Sequence, residues 1–217
     1  MSKSKTLEKI REIGLVPVLR ASKQDHAIAI AHAVEQGGVP ILEVTMTVPG
    51  AVEVIRHLAG HFGERVLIGA GTVLDPETAR LCILAGAEFI VSPSLKISTI
   101  EMCHRYGILI VPGALTPTEV VTAWEAGADA VKVFPCGAMG GASYIKSLKA
   151  PFPQIELIPT GGVSLSTAAD FLKAGACALG VGADLIDPAA VASGNLHKIT
   201  ENAKKFLEIV KTARIAH

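Results

Sequence analysis

The sequence predicts an α/β fold, a closed (β/α)8 TIM barrel with an extra N-terminal helix, and three observations carry that expectation. Short apolar runs of strand type alternate with segments of helical length, which implies βα units and a parallel sheet. Eight such runs fit into 217 residues, a length that suits one barrel better than two ordinary domains. A unit in which a helix ends at glycine and a short apolar strand follows recurs as EQGGVPILEVT, LAGAEFIVSP, EAGADAVKVFP and KAGACALGVG. Residues 1–217 contain no linker or low-complexity tract and read as a single domain.

Residues 4–13 have apolar positions at helical spacing and read as a helix before the first strand, covering the bottom of the barrel. Strands are expected near 15–20, 40–45, 66–71, 88–92, 108–112, 129–134, 155–160 and 177–181, and the runs between the repeat units, GLVPVLRA, RVLIGAGTV, GILIVPGA and IELIPTGG, are each followed by a polar or proline-containing helix start. The last stretch, LHKITENAKKFLEIVKTARIAH, reads as the eighth helix, with Ile199, Phe206, Ile209 and Val210 toward the core. Registered on the glycines of the repeat, Gly38 precedes Glu43 by five, Gly127 precedes Lys132 by five and Gly175 precedes Gly180 by five. In the remaining copy Val91 holds that register and Ser92 follows it.

Composition narrows the function. Half the residues are hydrophobic, 4% aromatic and 18% charged, the balance of a core built from Val, Ile, Leu and Ala. Twenty basic against twenty acidic residues leave no net charge, which argues against a basic nucleic-acid-binding face and makes any anion recognition local. The start lacks the apolar core of a signal peptide, and no uninterrupted apolar run reaches the roughly 18 residues of a membrane span, so a soluble cytoplasmic protein is expected. Cys82, Cys103, Cys136 and Cys177 form no C-x-x-C pair and read as buried free thiols, with Cys136 of interest because it lies just beyond Lys132.

Active sites of βα barrels form at the C-terminal ends of the strands, which selects Arg20, Glu43, Thr72, Ser92, Pro112, Lys132, the Thr160–Gly162 turn and the Gly180–Asp184 stretch. Lys132 sits in the apolar run DAVKVFP, where desolvation disfavours the ammonium and frees an amine able to attack a ketone. The bland alternative is a snorkelling lysine at a strand edge. Glu43, in ILEVT, is a carboxylate buried in a strand, suited to carrying protons or to a structural ion pair with Lys132 or Arg20. The glycine-rich PTGGVS and GVGADL follow strands seven and eight, where barrels hold phosphate on backbone N–H groups, although a glycine turn is also an ordinary way to leave a strand.

Four other features carry less. His57 and His61 have i, i+4 spacing, but HLAGH lacks the glutamate of H-E-x-x-H, so a surface role is expected. Lys146 and Lys149 read as solvated helix residues rather than phosphate ligands. Trp124 is expected to pack, and Tyr144 to pack or to border the substrate.

The segments VPVLRA, GGVPILEVTMTVPGA, IGAGTVL, AEFIVSPSL, VPGALTPTEV, VKVFP and PTGGV, in this order and spacing, resemble the class I aldolases that cleave 2-keto-3-deoxy-6-phosphogluconate (KDPG). That family includes relatives acting on the phosphogalactonate isomer and on 4-hydroxy-2-oxoglutarate (KHG). The resemblance implies that Lys132 forms a Schiff base, that Glu43 is the acid/base, and that Thr72 touches the pyruvyl part. It further implies that backbone near Gly161 and Gly162 holds phosphate, that neither metal nor cofactor is used, and that the chain forms a homotrimer. One branch of the family has an arginine four residues after the glutamate, where this chain has Thr47; the T-V-P branch instead closes strand one with an arginine, so Arg20 is assigned to an anionic group of the substrate. Some relatives have a serine at the phosphate where this chain has Ala183, a loss of one hydroxyl contact worth about 0.5–1.5 kcal/mol.

The sequence-level expectation is therefore a lyase that reversibly cleaves 2-dehydro-3-deoxy-6-phosphogluconate to pyruvate and glyceraldehyde 3-phosphate. Lys132 and Glu43 are its catalytic pair, and Arg20, Thr72, Pro112, Gly161, Gly162, Gly182 and Ala183 bind substrate. The alternatives are an aldolase for the galactonate isomer or for 4-hydroxy-2-oxoglutarate, and a non-catalytic trimeric barrel serving as scaffold or binding subunit.

Overall fold

A computed structural model describes residues 2–215. The chain is α/β, with helices around a curled sheet whose strand ladders are all parallel. In chain order the elements are α1 Lys3–Ile13, β1 Leu15–Leu19, α2 Gln24–Gln36, β2 Ile41–Thr45, α3 Ala51–Phe62, β3 Leu67–Gly71, α4 Pro76–Leu84, β4 Phe89–Val91, α5 Ile97–Arg105 and β5 Leu109–Val111. They continue with β6 Gly113–Ala114, α6 Pro117–Glu125, β7 Val131–Val133, α7 Ala142–Lys149, β8 Leu157–Pro159, α8 Ala168–Lys173, β9 Leu179–Val181, α9 Pro188–Ala192 and α10 Leu196–Ile215. Met1, Ala216 and His217, which belong to the expected domain and, in the last two cases, to its final helix, lie outside the described residues.

Six strands pair in the order β5-β4-β3-β2-β1-β9 and three in the order β6-β7-β8. A parallel bridge between Thr160 and Gly180 links the ends of β8 and β9. The expected strand at 108–112 is thus present in two pieces, β5 and β6, separated by Pro112. A proline has no N–H for a ladder, so it interrupts pairing. Its carbonyl is still used: it accepts the Lys132 N–H at 2.9 Å.

Local signals set the helices. Asp75 caps α4 through the Thr78 N–H with Pro76 in the first turn, and Thr116 and Glu119 form a reciprocal capping box on α6. Asp187 caps α9, a short helix that periodicity did not suggest. Gly38, Gly86, Gly127 and Gly175, just past α2, α4, α6 and α8, have φ of 87°, 105°, 91° and 99°, a region open to glycine but not to β-carbon-bearing residues. The repeat therefore has one backbone cause: each copy uses glycine to turn out of a helix and into the next strand.

Packing follows the alternation of the strands. Every strand is buried along its length, and Phe89 lies across β3 so closely that a Cβ at Gly69 would fall 2.2 Å from its ring. From α10, Ile199, Phe206 and Val210 are fully covered, while Ile209 packs partly buried against the core. Arg214 donates to the carbonyls of Arg11 and Glu12 at the end of α1, where a cation offsets the negative end of the helix dipole. With the Lys3–Asp129 and Arg11–Glu156 ion pairs at 3.0 Å and 3.3 Å, this ties α1 across the N-terminal ends of the strands. Trp124 departs from expectation: it is 43% exposed on α6, because the buried side of that helix is formed by Val120 and Ala123.

Candidate active site

The five-residue offset from each repeat glycine has a direct structural consequence. Glu43, Val91, Lys132 and Gly180, the residues at that offset, all line one small cavity inside the curled sheet. They come from β2, β4, β7 and β9, and equal offsets along equivalent strands put their inward positions at one height. Ile10 of α1, Val16, Phe89, Val111 and Ile158 complete the apolar walls, and Thr160 adds a hydroxyl. Three of the four equivalent positions thus hold groups without ordinary packing value: a carboxylate, an amine and a glycine that leaves space.

Glu43 is 3% exposed and Lys132 5%, yet they form no ion pair within 4.0 Å among the described residues. Burial raises the Glu43 carboxyl above the usual carboxylate range, and the positive charges of Lys132 and then Arg20 pull it back only in part. Its Oε1 has no hydrogen-bond partner. A buried, unpartnered carboxyl oxygen costs about 1–3 kcal/mol in an ordinary core, which sets Glu43 apart from a packing residue. Gly71 makes room for it, since a Cβ there would fall 1.9 Å from Oε1. The glycine makes this space through its missing side chain; its only sequence signal was the glycine that closes the strand in IGAGTV, beside the strand of Glu43.

Thr72 follows Gly71 with φ of 59°, a conformation that β-branched residues avoid and that costs about 1–3 kcal/mol. Thr72 and Pro112 border neither the interior cavity nor the clefts described next. Pro112 acts on the site through its carbonyl, which fixes the backbone of Lys132. Phe134, whose ring centroid lies 5.3 Å from Lys132 Nζ, connects the amine to the outside because its ring also borders the outer cleft.

That cleft, about 310 Å³, is lined by Arg20, Phe134, Thr160, Gly161, Gly162, Gly182, Ala183 and Asp184 among others, and shares Thr160 and Gly180 with the interior cavity. It therefore gathers Arg20 and both glycine-rich turns above the Lys132–Glu43 cavity. The N–H groups of Gly162, Ala183 and Asp184 donate to no described residue. Gly161 and Gly162 have φ of 83° and 80°, and a Cβ on Gly162 would fall 2.7 Å from the Gly137 Cα, so this turn also needs glycine for packing. Arg20 and Ala183 further border an adjoining cleft of about 520 Å³ with Thr47, His26 and α9. There the Thr47 and Thr45 hydroxyls lie 2.7 Å apart, and Thr45 donates to the Leu19 carbonyl at 3.0 Å, next to Arg20.

The remaining candidates stay apart from this constellation. His57 and His61 stack on the surface of α3, and no group of three or more potential metal ligands occurs among the described residues. Lys149 donates to the Pro153 and Ile155 carbonyls and is structural. The Tyr144 hydroxyl donates to the Leu115 carbonyl, joining α7 to the segment before α6. All four cysteines are free; Cys136 is buried, and desolvation pushes its thiol up to about 11, away from nucleophilic use.

A buried lysine and an unpartnered carboxyl thus share one cavity of an α/β protein, next to a cleft lined by an arginine and two glycine-rich turns. Comparison with known proteins gives the family. The model of the KDPG and KHG aldolases matches residues 7–202, and the chain belongs to that family; it is an aldolase, a carbon–carbon lyase. It is 32% identical over 205 residues to the 2-dehydro-3-deoxy-phosphogluconate aldolase of Haemophilus influenzae, covering 94% of this chain and 96% of that one. It is 34% identical over 203 residues to the 2-dehydro-3-deoxy-6-phosphogalactonate aldolase of Escherichia coli, covering 93% and 97%. Among solved structures, the KDPG aldolase of Legionella pneumophila, captured with pyruvate as a covalent carbinolamine intermediate, superposes with a TM-score of 0.85 at 28% identity, covering 91% and 96%.

Proposed function

We propose that the chain is a class I aldolase cleaving 2-dehydro-3-deoxy-6-phosphogluconate to pyruvate and glyceraldehyde 3-phosphate, with Lys132 and Glu43 as its catalytic residues. The observation that carries this is the shared cavity of the two side chains, one an amine and the other a carboxyl with a free oxygen. Lys132 Nζ attacks C2 of the 2-oxo acid, and loss of water gives an iminium. The C3–C4 bond then breaks with its electron pair drawn toward the iminium, while Glu43 takes the C4 hydroxyl proton and the aldehyde leaves. Glu43 returns a proton to C3 of the enamine, and hydrolysis frees pyruvate and the amine.

Arg20 and Thr72 orient the carboxylate end in this reading. Gly161, Gly162, Gly182 and Ala183 offer backbone to the phosphate, supported by the free N–H groups of the two turns, and Pro112 supports Lys132. No residue is assigned to a metal, and no cofactor enters the chemistry. The phosphogalactonate isomer and 4-hydroxy-2-oxoglutarate are the competing substrates, and relative cleavage rates on the three decide among them. A non-catalytic scaffold would have no use for an unpartnered buried carboxyl.

The sheet is read as one closed (β/α)8 barrel in a single domain over 1–217, with α1 covering its base. Closure is supported by the Thr160–Gly180 bridge at one seam and by the continuity of β5 and β6 through Pro112 at the other. A homotrimer is proposed on the exposed apolar side chains of the neighbouring helices α4 and α5, Leu81, Leu84 and Ile97, and of Tyr106 just past α5, which self-association would cover. The four free thiols fit a reducing, cytoplasmic setting.

Trapping tests the mechanism directly. Incubation with pyruvate and sodium borohydride, followed by peptide mass mapping, is expected to place a reduced pyruvyl adduct on Lys132. An adduct elsewhere, or none on the folded protein, overturns the assignment.

A further inference from the structure

We propose that Asn202, a residue of α10 outside the cleft, is a positioning residue for the anion subsite: its amide holds the 182–186 turn so that the N–H groups of Ala183 and Asp184 stay directed at the substrate phosphate. The inference rests on the phosphate placement proposed above and deepens it.

Asn202 is out of character for its position. It is 9% exposed, on the side of α10 that otherwise buries Ile199, Ala203 and Phe206. Asparagine is a weaker helix former than the aliphatic residues around it, and an amide buried there must be paired or it costs stability. Its Nδ2 lies 3.2 Å from the Leu185 carbonyl and 3.4 Å from that of Asp184, and it donates to both. The turn they belong to is one helical turn, with the Leu185 and Ile186 N–H groups both donating to the Gly182 carbonyl at 3.1 Å and 2.9 Å.

A peptide turn fixed in this way is polar along one axis. Asn202 takes carbonyls at its far end, and the leading N–H groups, those of Ala183 and Asp184, are left without an acceptor at the end that borders the cleft. Gly182, at the hinge, has nothing within 4 Å of the place a Cβ would occupy, so the turn is anchored at its other end, where the Leu185 and Ile186 side chains are buried in the core. Burial of those two side chains fixes the place of the turn, and the Asn202 amide adds a directional restraint on its peptide groups that apolar contacts lack. Ala183 gives this weight, because with no side-chain hydroxyl at that position the anion is left to the backbone, whose direction Asn202 sets.

The test compares the unsubstituted enzyme with Asn202→Asp, which keeps the shape and removes the donors, and with Asn202→Ala, whose vacated space admits a water if the aspartate variant does not fold. KM and kcat are measured on the phosphorylated 2-keto-3-deoxy acid and on 4-hydroxy-2-oxoglutarate, which has no phosphate, together with inhibition by inorganic phosphate. Two hydrogen bonds correspond to about a tenfold effect, so the phosphate inhibition constant and the KM for the phosphorylated substrate are expected to rise about tenfold, more than kcat falls. The unphosphorylated substrate should lose far less. Equal losses on both substrates indicate a merely structural residue and overturn the inference, as does an unchanged phosphate inhibition constant in a folded variant. If the unsubstituted enzyme itself neither binds phosphate nor favours the phosphorylated substrate, the phosphate placement fails and takes this inference with it, a result separable from a failure confined to the variants.

Discussion

In the proposed mechanism Glu43 couples catalysis to stability through one side chain. Burial lifts its carboxyl above the usual value of 4.5, so the folded protein holds that proton more tightly than the unfolded chain does. A raised value in the folded state contributes stability at pH below the unfolded value, and that contribution is lost as pH rises through the folded one. Catalysis moves in the opposite direction, since the proton-accepting form appears only as pH climbs through the raised value. The acid limb of the kcat profile is therefore expected above 4.5. Glu43→Gln should lose about 10²–10⁴ in kcat, and its melting temperature relative to the parent should increase between pH 4 and pH 8. A difference that stays flat across that range would show that Glu43 is not held in its protonated form by the fold.

At the scale of elements, the site depends on the register of β2 against β3. Glu43 pairs with Gly69 and Thr45 with Gly71, which sets the carboxyl over the Cα of Gly71, where no side chain blocks it. Gly71 has no left-handed backbone requirement, so alanine there changes space rather than conformation. Gly71→Ala is expected to push the carboxyl aside, lowering kcat/KM about a hundredfold while costing about 1–3 kcal/mol of stability. Kinetics and thermal melting on the same preparation test this, and full activity in the variant would remove Gly71 from the site. β5 and β6 make the complementary point: a proline that breaks a ladder still fixes the neighbouring lysine through its carbonyl.

For the whole molecule, the exposed surface bears on assembly. Leu84 is 61% exposed and Leu81 55%, on a helix that packs beside α5, whose Ile97 and the Tyr106 just past its end are also exposed. Water contact over such a face is unfavourable by about 25 cal/mol per Å² of apolar area, which favours covering it. Light scattering is expected to give a trimer mass for the parent chain and a monomer mass for Leu84→Glu at the same concentration. A parent that runs as a monomer would leave this face without a partner copy.

The sequence by itself determined the order of strands and helices, the glycine turns of the repeat and the positions of Lys132, Glu43 and the two glycine-rich turns. All of these are written locally: apolar runs, cap residues and a five-residue offset act within one βα unit, and equal offsets project equivalent strands to one height in the sheet. Only the tertiary structure decided that Gly71 yields its space to Glu43, that Pro112 splits a strand while holding Lys132, that Phe134 connects cavity to cleft, and that Asn202 grips a turn 17 residues earlier in the chain. It also left Trp124 half-exposed, because an aromatic residue on an amphipathic helix is buried only if the helix turns that side inward. Each of these depends on contacts between segments distant in sequence, whose approach is fixed by how the units pack together rather than by any single unit's pattern.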